Sequence, residues 1–108
     1  MKKGDLVLVP FPFTDLSGSQ VRPALVLYAT TKGEDCIVAF ISSLLTKKVR
    51  LFDVRVQKSK QNGLKADSLV RVDKIATLQQ KSTLCRIGTL ESKLLAEVDS
   101  KLKQLLQL

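Results

Sequence analysis

The spacing of apolar residues changes at Gly88 and divides the chain into two parts. Before Gly88 the apolar residues form short continuous or alternating runs, which are typical of β-strands. After it they recur at helical spacing, at Leu94, Leu95, Val98, Leu102, Leu105 and Leu106. The pattern predicts a β-rich body followed by one helix, with Thr89 as its N-cap and Glu91 in its first turn. The apolar stripe is expected either to seal one side of a β-barrel or to pack against a partner subunit.

Five or six short segments have the composition of strands. They are residues 6–9, 22–30, 35–43, 49–57, 67–78 and a brief one at 82–87. A hairpin turn is expected at 31–34, and residues 61–63 are a strong turn signal. So many strands in a chain of 108 residues predict a mainly β fold, a small and strongly curved barrel. Residues 1–108 are expected to form a single domain.

The charge balance favours a polyanionic partner. The formal net charge is +8, and such an excess on a small domain attracts nucleic acid, although a generally soluble basic surface would have the same composition. The cations cluster in or beside predicted loops, at Lys47, Lys48 and Arg50 and at Lys58, Lys60 and Lys65. Because charged residues interrupt every apolar run and no signal peptide is recognisable, we expect a cytoplasmic protein without a membrane partner.

The residues that are missing exclude several kinds of chemistry. The chain has no histidine, which removes Ser-His-Asp and Cys-His nucleophiles and most zinc sites. The two cysteines, Cys36 and Cys85, are far apart and belong to no Cys-x-x-Cys or Cys/His cluster. Both are expected to be buried, unpaired thiols. No metal site and no cofactor are predicted.

A long connection between the first two strands is the first candidate for binding. Adjacent antiparallel strands need only two to five linking residues, and residues 10–20 exceed that length. The tip offers hydroxyls, backbone N–H groups and a glycine, which suit phosphate or sugar oxygens. Phe11 and Phe13 could anchor the loop to the core, and Phe13 could instead stack on a base. The substrate-binding candidates here are Phe13, Thr14, Ser17, Gly18, Ser19 and Gln20.

Polar residues near the strand ends give further candidates, each with a structural alternative. Arg22 precedes Pro23, which favours an extended backbone; it belongs either to a rim salt bridge with Asp5 or Asp15 or to a functional site. The side chains of Ser42, Ser43 and Ser68 are either turn formers or substrate contacts. The ammonium groups of Lys47 and Lys74 are candidate phosphate contacts.

Together these segments resemble the PemK/MazF family of toxin endoribonucleases. The segments that carry the resemblance are Gly4-Asp5-Leu6-Val7-Leu8-Val9, the Ser/Gly loop, Arg22-Pro23-Ala24-Leu25-Val26, Phe40-Ile41-Ser42-Ser43, Asp67-Ser68-Leu69-Val70, Asp73-Lys74-Ile75, Arg86-Ile87-Gly88-Thr89-Leu90 and the closing helix. The resemblance implies an SH3-like barrel with a C-terminal helix and a homodimer. It also implies metal-independent, sequence-specific cleavage of single-stranded RNA such as mRNA, and inhibition by a cognate antitoxin protein.

The resemblance also assigns roles to individual residues. The family's catalytic arginine corresponds to Arg22 and its catalytic threonine to Ser42, where serine keeps the hydroxyl but lacks the methyl group that restricts χ1. Further departures are Phe40 in place of a common proline, Lys74 in place of glutamine and Ala76 in place of arginine. The last two put base specificity in question more than they do the chemistry.

The implied reaction needs little from the protein besides position and charge. The RNA 2′-hydroxyl is the nucleophile, so the protein must hold it in line and stabilise the charge that develops on phosphorus. The Arg22 guanidinium can bind both non-bridging oxygens, and the Ser42 hydroxyl can donate one more hydrogen bond. The products would be a 2′,3′-cyclic phosphate and a 5′-hydroxyl. Two alternatives stay open: a toxin of this fold that poisons a topoisomerase without catalysis, and an inactive RNA-binding barrel.

Overall fold

The computed structural model describes residues 1–11, 20–43 and 48–108. In this part of the chain six strands precede one α-helix: β1 (Asp5–Phe11), β2 (Gln20–Ala29), β3 (Asp35–Ser43), β4 (Asp53–Val56), β5 (Ser68–Gln79), β6 (Cys85–Thr89) and α1 (Ser92–Leu106). A short 3₁₀ turn, Gln80–Ser82, links β5 to β6. The prediction of a mainly β fold that ends in a helix is therefore confirmed.

All six strands belong to one antiparallel sheet in the order β4-β5-β3-β2-β1-β6. β1 lies between β2 and β6, so the sheet joins the beginning of the described chain to a strand close to its end. The register shifts between Val26 and Tyr28 on β2 and between Ala39 and Ile41 on β3. Irregularities of this kind bend strands and increase twist, and they let the sheet curl.

Alternation along the strands produces two apolar clusters, one on each face of the sheet. Leu6 belongs to the cluster that α1 covers, called here the helix-side cluster. Val7 and Val9 belong to the second cluster, on the other face of the sheet. Val98 is the fully buried residue of α1. The apolar stripe of the helix therefore seals the sheet, with Leu94, Leu95, Leu102 and Leu105 packed against the helix-side cluster.

The fourth strand is shorter than predicted. Residues 49–57 alternate in polarity, but the strand is only Asp53–Val56. The carboxylate of Asp53 accepts a hydrogen bond from the Arg50 backbone N–H at 2.8 Å, and the Asp53 N–H donates to the Arg50 carbonyl at 3.1 Å. A side chain that binds its own upstream backbone closes a turn, and this turn replaces the first half of the predicted strand.

The helix begins later than its predicted N-cap. Thr89 is the last residue of β6, where it pairs with Asp5, and the N-cap is Glu91. The Glu91 carboxylate makes no capping bond; it accepts hydrogen bonds from Ser59 Oγ at 2.6 Å and from Asn62 Nδ2 at 3.2 Å. Strand pairing at Thr89 thus overrides its local capping preference, and Glu91 attaches the 59–62 turn to the start of α1.

The sixth strand begins later than predicted, and one of its residues, Cys85, is exposed where burial was expected. The prediction for residues 82–87 is shifted, because Gln80–Ser82 is a 3₁₀ turn and the strand is Cys85–Thr89. Since β6 is an edge strand, Cys85 is exposed, and the prediction that it is buried is wrong. Cys36 is buried as predicted, and burial, followed by the charge of Asp35, raises the pKa of its thiol.

Candidate functional site

Arg22 lies near the start of β2 and is half-buried. It pairs with Val9 of β1, four positions along that strand from Asp5, which corresponds to roughly 13 Å at the rise of a β-strand. The Asp5 carboxylate instead accepts hydrogen bonds from Arg86 Nε at 3.2 Å and from the Lys2 N–H at 3.0 Å. The register therefore rules out the rim salt bridge to Asp5, and the alternative partner, Asp15, lies outside the described residues.

Ser42 lies at the same end of the sheet as Arg22. The pairing of β2 with β3 ends at Ala24 and Phe40, and Arg22 and Ser42 each lie two positions beyond that pair. Residues two apart on a strand share a face, so both side chains lie on the face that carries Phe40. The two predicted catalytic residues therefore lie at the end of β2 and β3 that is away from their hairpin turn.

Ser42 has a partner that the sequence did not indicate. Arg71 of β5 donates a hydrogen bond from Nε to Ser42 Oγ at 3.1 Å. The same guanidinium donates from Nη1 to Asp53 Oδ2 at 3.1 Å, and the Asp53 side chain is fully buried. A possible signal was an aspartate and an arginine on the predicted fourth and fifth strands, but the pairing of those strands cannot be obtained from one sequence.

A cleft of about 500 Å³ lies at the same end of the sheet, and Arg22 lines it whereas Ser42 does not. Its apolar lining includes Ile41 and Leu64 of the helix-side cluster, the opposite face from Phe40. It brings Arg22 together with Ser43 and Ser68, which pair directly across β3 and β5. Ser68 is nearly buried and donates from Oγ to the Ala66 carbonyl at 2.8 Å. The charged residues among the described lining, Arg22 and Lys65, are both cationic, which suits an anionic ligand. The lining consists of Leu8, Val21, Arg22, Pro23, Ile41, Ser43, Gly63, Leu64, Lys65, Ala66, Ser68 and Ile87.

The remaining candidates are not part of this cleft or cannot be placed. Lys74 is exposed on β5, next to the paired residues Ala39 and Ile75, and it does not line the cleft. Its role as a phosphate contact stays a prediction. Gln20 begins β2, but its side chain is outside the description. The candidates Phe13, Thr14, Ser17, Gly18, Ser19 and Lys47 lie outside the described residues.

The described residues form neither a cluster of metal-ligating side chains nor a helix that could span a membrane. Within residues 1–11, 20–43 and 48–108, no three cysteine, aspartate or glutamate side chains come together in a way that could hold a metal ion. In the same part of the chain, no helix has the length and apolar character needed to cross a membrane. Among the described residues that line the cleft, the polar side chains are one guanidinium, one ammonium group and two hydroxyls.

Three solved structures that share this fold are a MazF, a MazE–MazF complex and an endoribonuclease bound to its antitoxin. MazF from Deinococcus radiodurans superposes with a TM-score of 0.79 at 23% identity, covering 100% of this chain and 97% of that one. A MazE–MazF complex from the same organism gives a TM-score of 0.75 at 26% identity, with the same coverage. An endoribonuclease in complex with its cognate antitoxin, from a mycobacterial species, gives 0.79 at 15% identity and covers 100% and 96%.

These similarities confirm the expected SH3-like barrel of PemK type with its closing helix. No curated protein sequence matches the chain. A family model described as PemK-like, MazF-like toxin of type II toxin–antitoxin system matches residues 2–106, nearly the whole length. The chain therefore belongs to the family of PemK-like, MazF-like toxins of type II toxin–antitoxin systems.

Proposed function

We propose that this protein is an endoribonuclease toxin that cleaves single-stranded RNA at the Arg22 end of its cleft, without a metal ion. The observation that carries the proposal is that Arg22 and Ser42 lie at the same end of β2 and β3, where Arg22 also lines a cleft together with Lys65. Family membership supports it, since several structural neighbours are MazF proteins or are named endoribonucleases.

The chemistry divides between RNA and protein. The RNA supplies the nucleophile, because its 2′-hydroxyl lies next to the phosphate that is cut. The Arg22 guanidinium donates parallel hydrogen bonds to the non-bridging oxygens and stabilises the negative charge that builds up in the pentavalent transition state. The Ser42 hydroxyl donates a further hydrogen bond to the same phosphate or to the leaving oxygen. The reaction ends in a 2′,3′-cyclic phosphate and a 5′-hydroxyl, and DNA would bind without being cut.

Substrate placement is assigned to the cleft. Ser43, Ser68 and Lys65 line it with two hydroxyls and an ammonium group, which can bind phosphate and sugar oxygens of flanking nucleotides. Contacts of this kind fix the register of the RNA without selecting a base. Further phosphate and sugar contacts are assigned to the Ser/Gly loop between β1 and β2. Base selection is assigned to the positions of Lys74 and Ala76, where the chain departs from the family pattern.

The protein partners follow from the neighbours. MazF proteins occur in complexes with MazE, and the mycobacterial endoribonuclease is bound to its cognate antitoxin. We assign this chain a homodimeric state and a cognate antitoxin that blocks the RNA cleft. Sedimentation of the purified protein with and without the product of a neighbouring reading frame tests both assignments.

A cleavage assay tests the function. Purified protein is incubated with a long unstructured RNA in EDTA, and we expect defined cuts with cyclic phosphate at the new 3′ ends. Replacing Arg22 by alanine removes the charge-stabilising donor, and we expect a fall in rate of about 10²–10³-fold with the circular dichroism spectrum unchanged. The Ser42→Ala variant should also lose activity.

The matched control for lost charge is Lys32→Ala. Lys32 is an exposed cation in the hairpin turn, at the opposite end of β2 and β3 from Arg22. Its replacement should leave cleavage unchanged. Cleavage that requires added metal, or that persists at full rate in Arg22→Ala, would contradict the proposed chemistry. Binding without any cleavage would favour the inactive RNA-binding alternative.

A further inference from the structure

The hydroxyl of Ser42 accepts a hydrogen bond from a side chain on another strand. Arg71 lies diagonally across from it, on the neighbouring strand β5, and donates from Nε to Ser42 Oγ at 3.1 Å. Both side chains are partly buried, and only 13% of the Arg71 side chain is exposed. A charged donor at this distance, sheltered from water, is a strong hydrogen-bond partner for a hydroxyl.

Arg71 is itself fixed by a buried carboxylate. Its Nη1 lies 3.1 Å from Asp53 Oδ2 and 3.4 Å from Asp53 Oδ1, and none of the Asp53 side chain is exposed. Asp53 is fixed in turn, because its Oδ2 accepts the Arg50 backbone N–H at 2.8 Å. A continuous series of contacts thus runs from the Arg50 backbone through Asp53 and Arg71 to Ser42.

This series determines how Ser42 uses its proton. A hydroxyl has one proton and two lone pairs, and a guanidinium can only donate. When Ser42 accepts from Arg71, its own proton must point away from Arg71 and is free to be donated to another acceptor. By strand alternation, Ser42 and Arg22 lie on the face of the sheet that carries the paired residues Phe40 and Ala24. The Arg71 charge is meanwhile balanced by Asp53, so Arg71 acts through Ser42 and not as a separate phosphate-binding cation.

The serine needs such a partner more than a threonine would. A β-branched side chain is restricted at χ1, whereas serine can occupy all three staggered wells. One hydrogen bond from a fixed donor selects a single well. The Arg71 contact therefore supplies the restriction that a γ-methyl group would otherwise provide.

We propose that Arg71, fixed by the buried Asp53, is a positioning residue that holds the Ser42 hydroxyl in one rotamer with its proton directed toward the scissile phosphate. The reason for this positioning rests on the proposed RNA cleavage. The rotamer itself is a property of the protein and can be measured without RNA.

The first test removes the hydrogen bonds that connect Asp53, Arg71 and Ser42 without leaving a buried charge unpaired. In Asp53→Asn/Arg71→Met the three-bond Hα–Hβ couplings of Ser42, measured by NMR, should change from the unequal values of one rotamer to averaged values. In the cleavage assay kcat should fall by about tenfold, while KM changes less than twofold, because positioning acts on the chemical step and not on binding.

A rescue experiment separates positioning from a structural role. The same double replacement is made in the Ser42→Thr background, where the γ-methyl group restricts χ1 independently. The loss in kcat caused by the double replacement should be several-fold smaller there than in the serine background, while the loss in melting temperature should be equal in the two. Equal losses of kcat in both backgrounds would overturn the proposal.

Arg71→Lys serves as a second variant if the double variant does not fold. Lysine keeps a positive charge opposite Asp53 but replaces the rigid planar fork by a single nitrogen, so Ser42 should again lose its fixed rotamer. Unchanged Ser42 couplings in whichever variant folds would overturn the proposal. Absence of cleavage by the unmodified protein would overturn the proposed function, and the couplings would still decide the role of Arg71.

Discussion

Glu91 links the turn before β5 to the start of α1 through its carboxylate. Ser59 Oγ donates to it at 2.6 Å and Asn62 Nδ2 at 3.2 Å, and Asn62 is completely buried. Burial alone would raise the pKa of Glu91, but the hydrogen bonds from Ser59, from its own backbone N–H and from Asn62 outweigh burial, so this pKa lies below its usual value. The ionised carboxylate is thus the form that the folded protein prefers.

The lowered pKa predicts acid sensitivity at this residue. A carboxyl group whose pKa is lower in the folded than in the unfolded chain contributes stability above the unfolded value of about 4.3, and this contribution is lost as the pH falls through the folded value. Melting temperatures measured between pH 7 and pH 3 should fall less steeply below about pH 4.3 for Glu91→Gln than for the unmodified protein. Glu97→Gln, an exposed position on α1, should follow the unmodified curve. Parallel curves for all three proteins would refute the assignment.

Single residues also show where prediction from sequence works and where it does not. Arg22 and Ser42 are candidates from sequence because each belongs to a short contiguous motif, and their catalytic roles stay predictions. The contact between Asp53 and Arg71 could not be predicted from sequence, because it forms only when β4 pairs with β5 and Asp53 lies opposite Arg71. The sequence also did not show that Thr89 belongs to β6 and is not the N-cap of the helix. Its pairing with Asp5 is a contact between distant parts of the chain.

At the scale of elements, the turn at residues 60–62 is pressed directly against β6. The Thr89 N–H donates to the Gln61 carbonyl at 2.9 Å. Gly63 has φ of +70°, and a Cβ placed on it would lie 2.0 Å from the Ile87 carbonyl oxygen. Glycine is required there both by backbone conformation and by the closeness of the strand.

Alanine replacements at two glycines separate these requirements. Gly33, in the hairpin turn between β2 and β3, has φ of +74°, but a Cβ added to it would meet open space, with nothing within 4 Å beyond its chain neighbours. Gly33→Ala should therefore cost about 1–2 kcal/mol of unfolding free energy, for the left-handed conformation alone. Gly63→Ala should cost about 1–3 kcal/mol more, because β6 or the turn must also move. Urea unfolding measures both, and equal losses would show that the turn moves freely away from β6.

The elements were predictable to the extent that local signals agreed with tertiary contacts. β3 was predicted with the bounds that the structure has, because an apolar run begins directly after a Gly-containing turn and ends at two serines. β4 was predicted too long because the Asp53 side chain closes a turn at Arg50, and that competition between side chain and strand is not visible in the alternation of polarity.

At the scale of the whole molecule, the net charge of +8 predicts strongly salt-dependent RNA binding. Each phosphate neutralised on a single strand releases counterions and contributes about −0.7 to the slope of log K against log salt concentration. Fluorescence anisotropy with a labelled single-stranded RNA gives this slope when it is measured on the Arg22→Ala protein, which we expect not to cleave the RNA. Lys65→Gln in the same background should make it less steep by about 0.7, since Lys65 lines the cleft.

Lys32→Gln, in the hairpin turn, is the control for that experiment and should leave the slope unchanged. A slope that responds equally to both replacements would mean that RNA binds to the general positive field and not to the cleft. The overall charge was evident from composition. The concentration of Arg22 and Lys65 at one cleft was not, because these residues come together only through the order of the strands.

The position of β1 between β2 and β6 has a consequence for how the chain is made. Asp5 and Arg86, which bind each other across β1 and β6, are 81 positions apart in sequence. During synthesis β1 can pair with β2 early, but its other edge keeps unpaired N–H and C=O groups beside an apolar run until β6 has been translated. Such an edge is a template for strands of other molecules. We therefore expect the nascent chain to be most prone to aggregate before β6 is made.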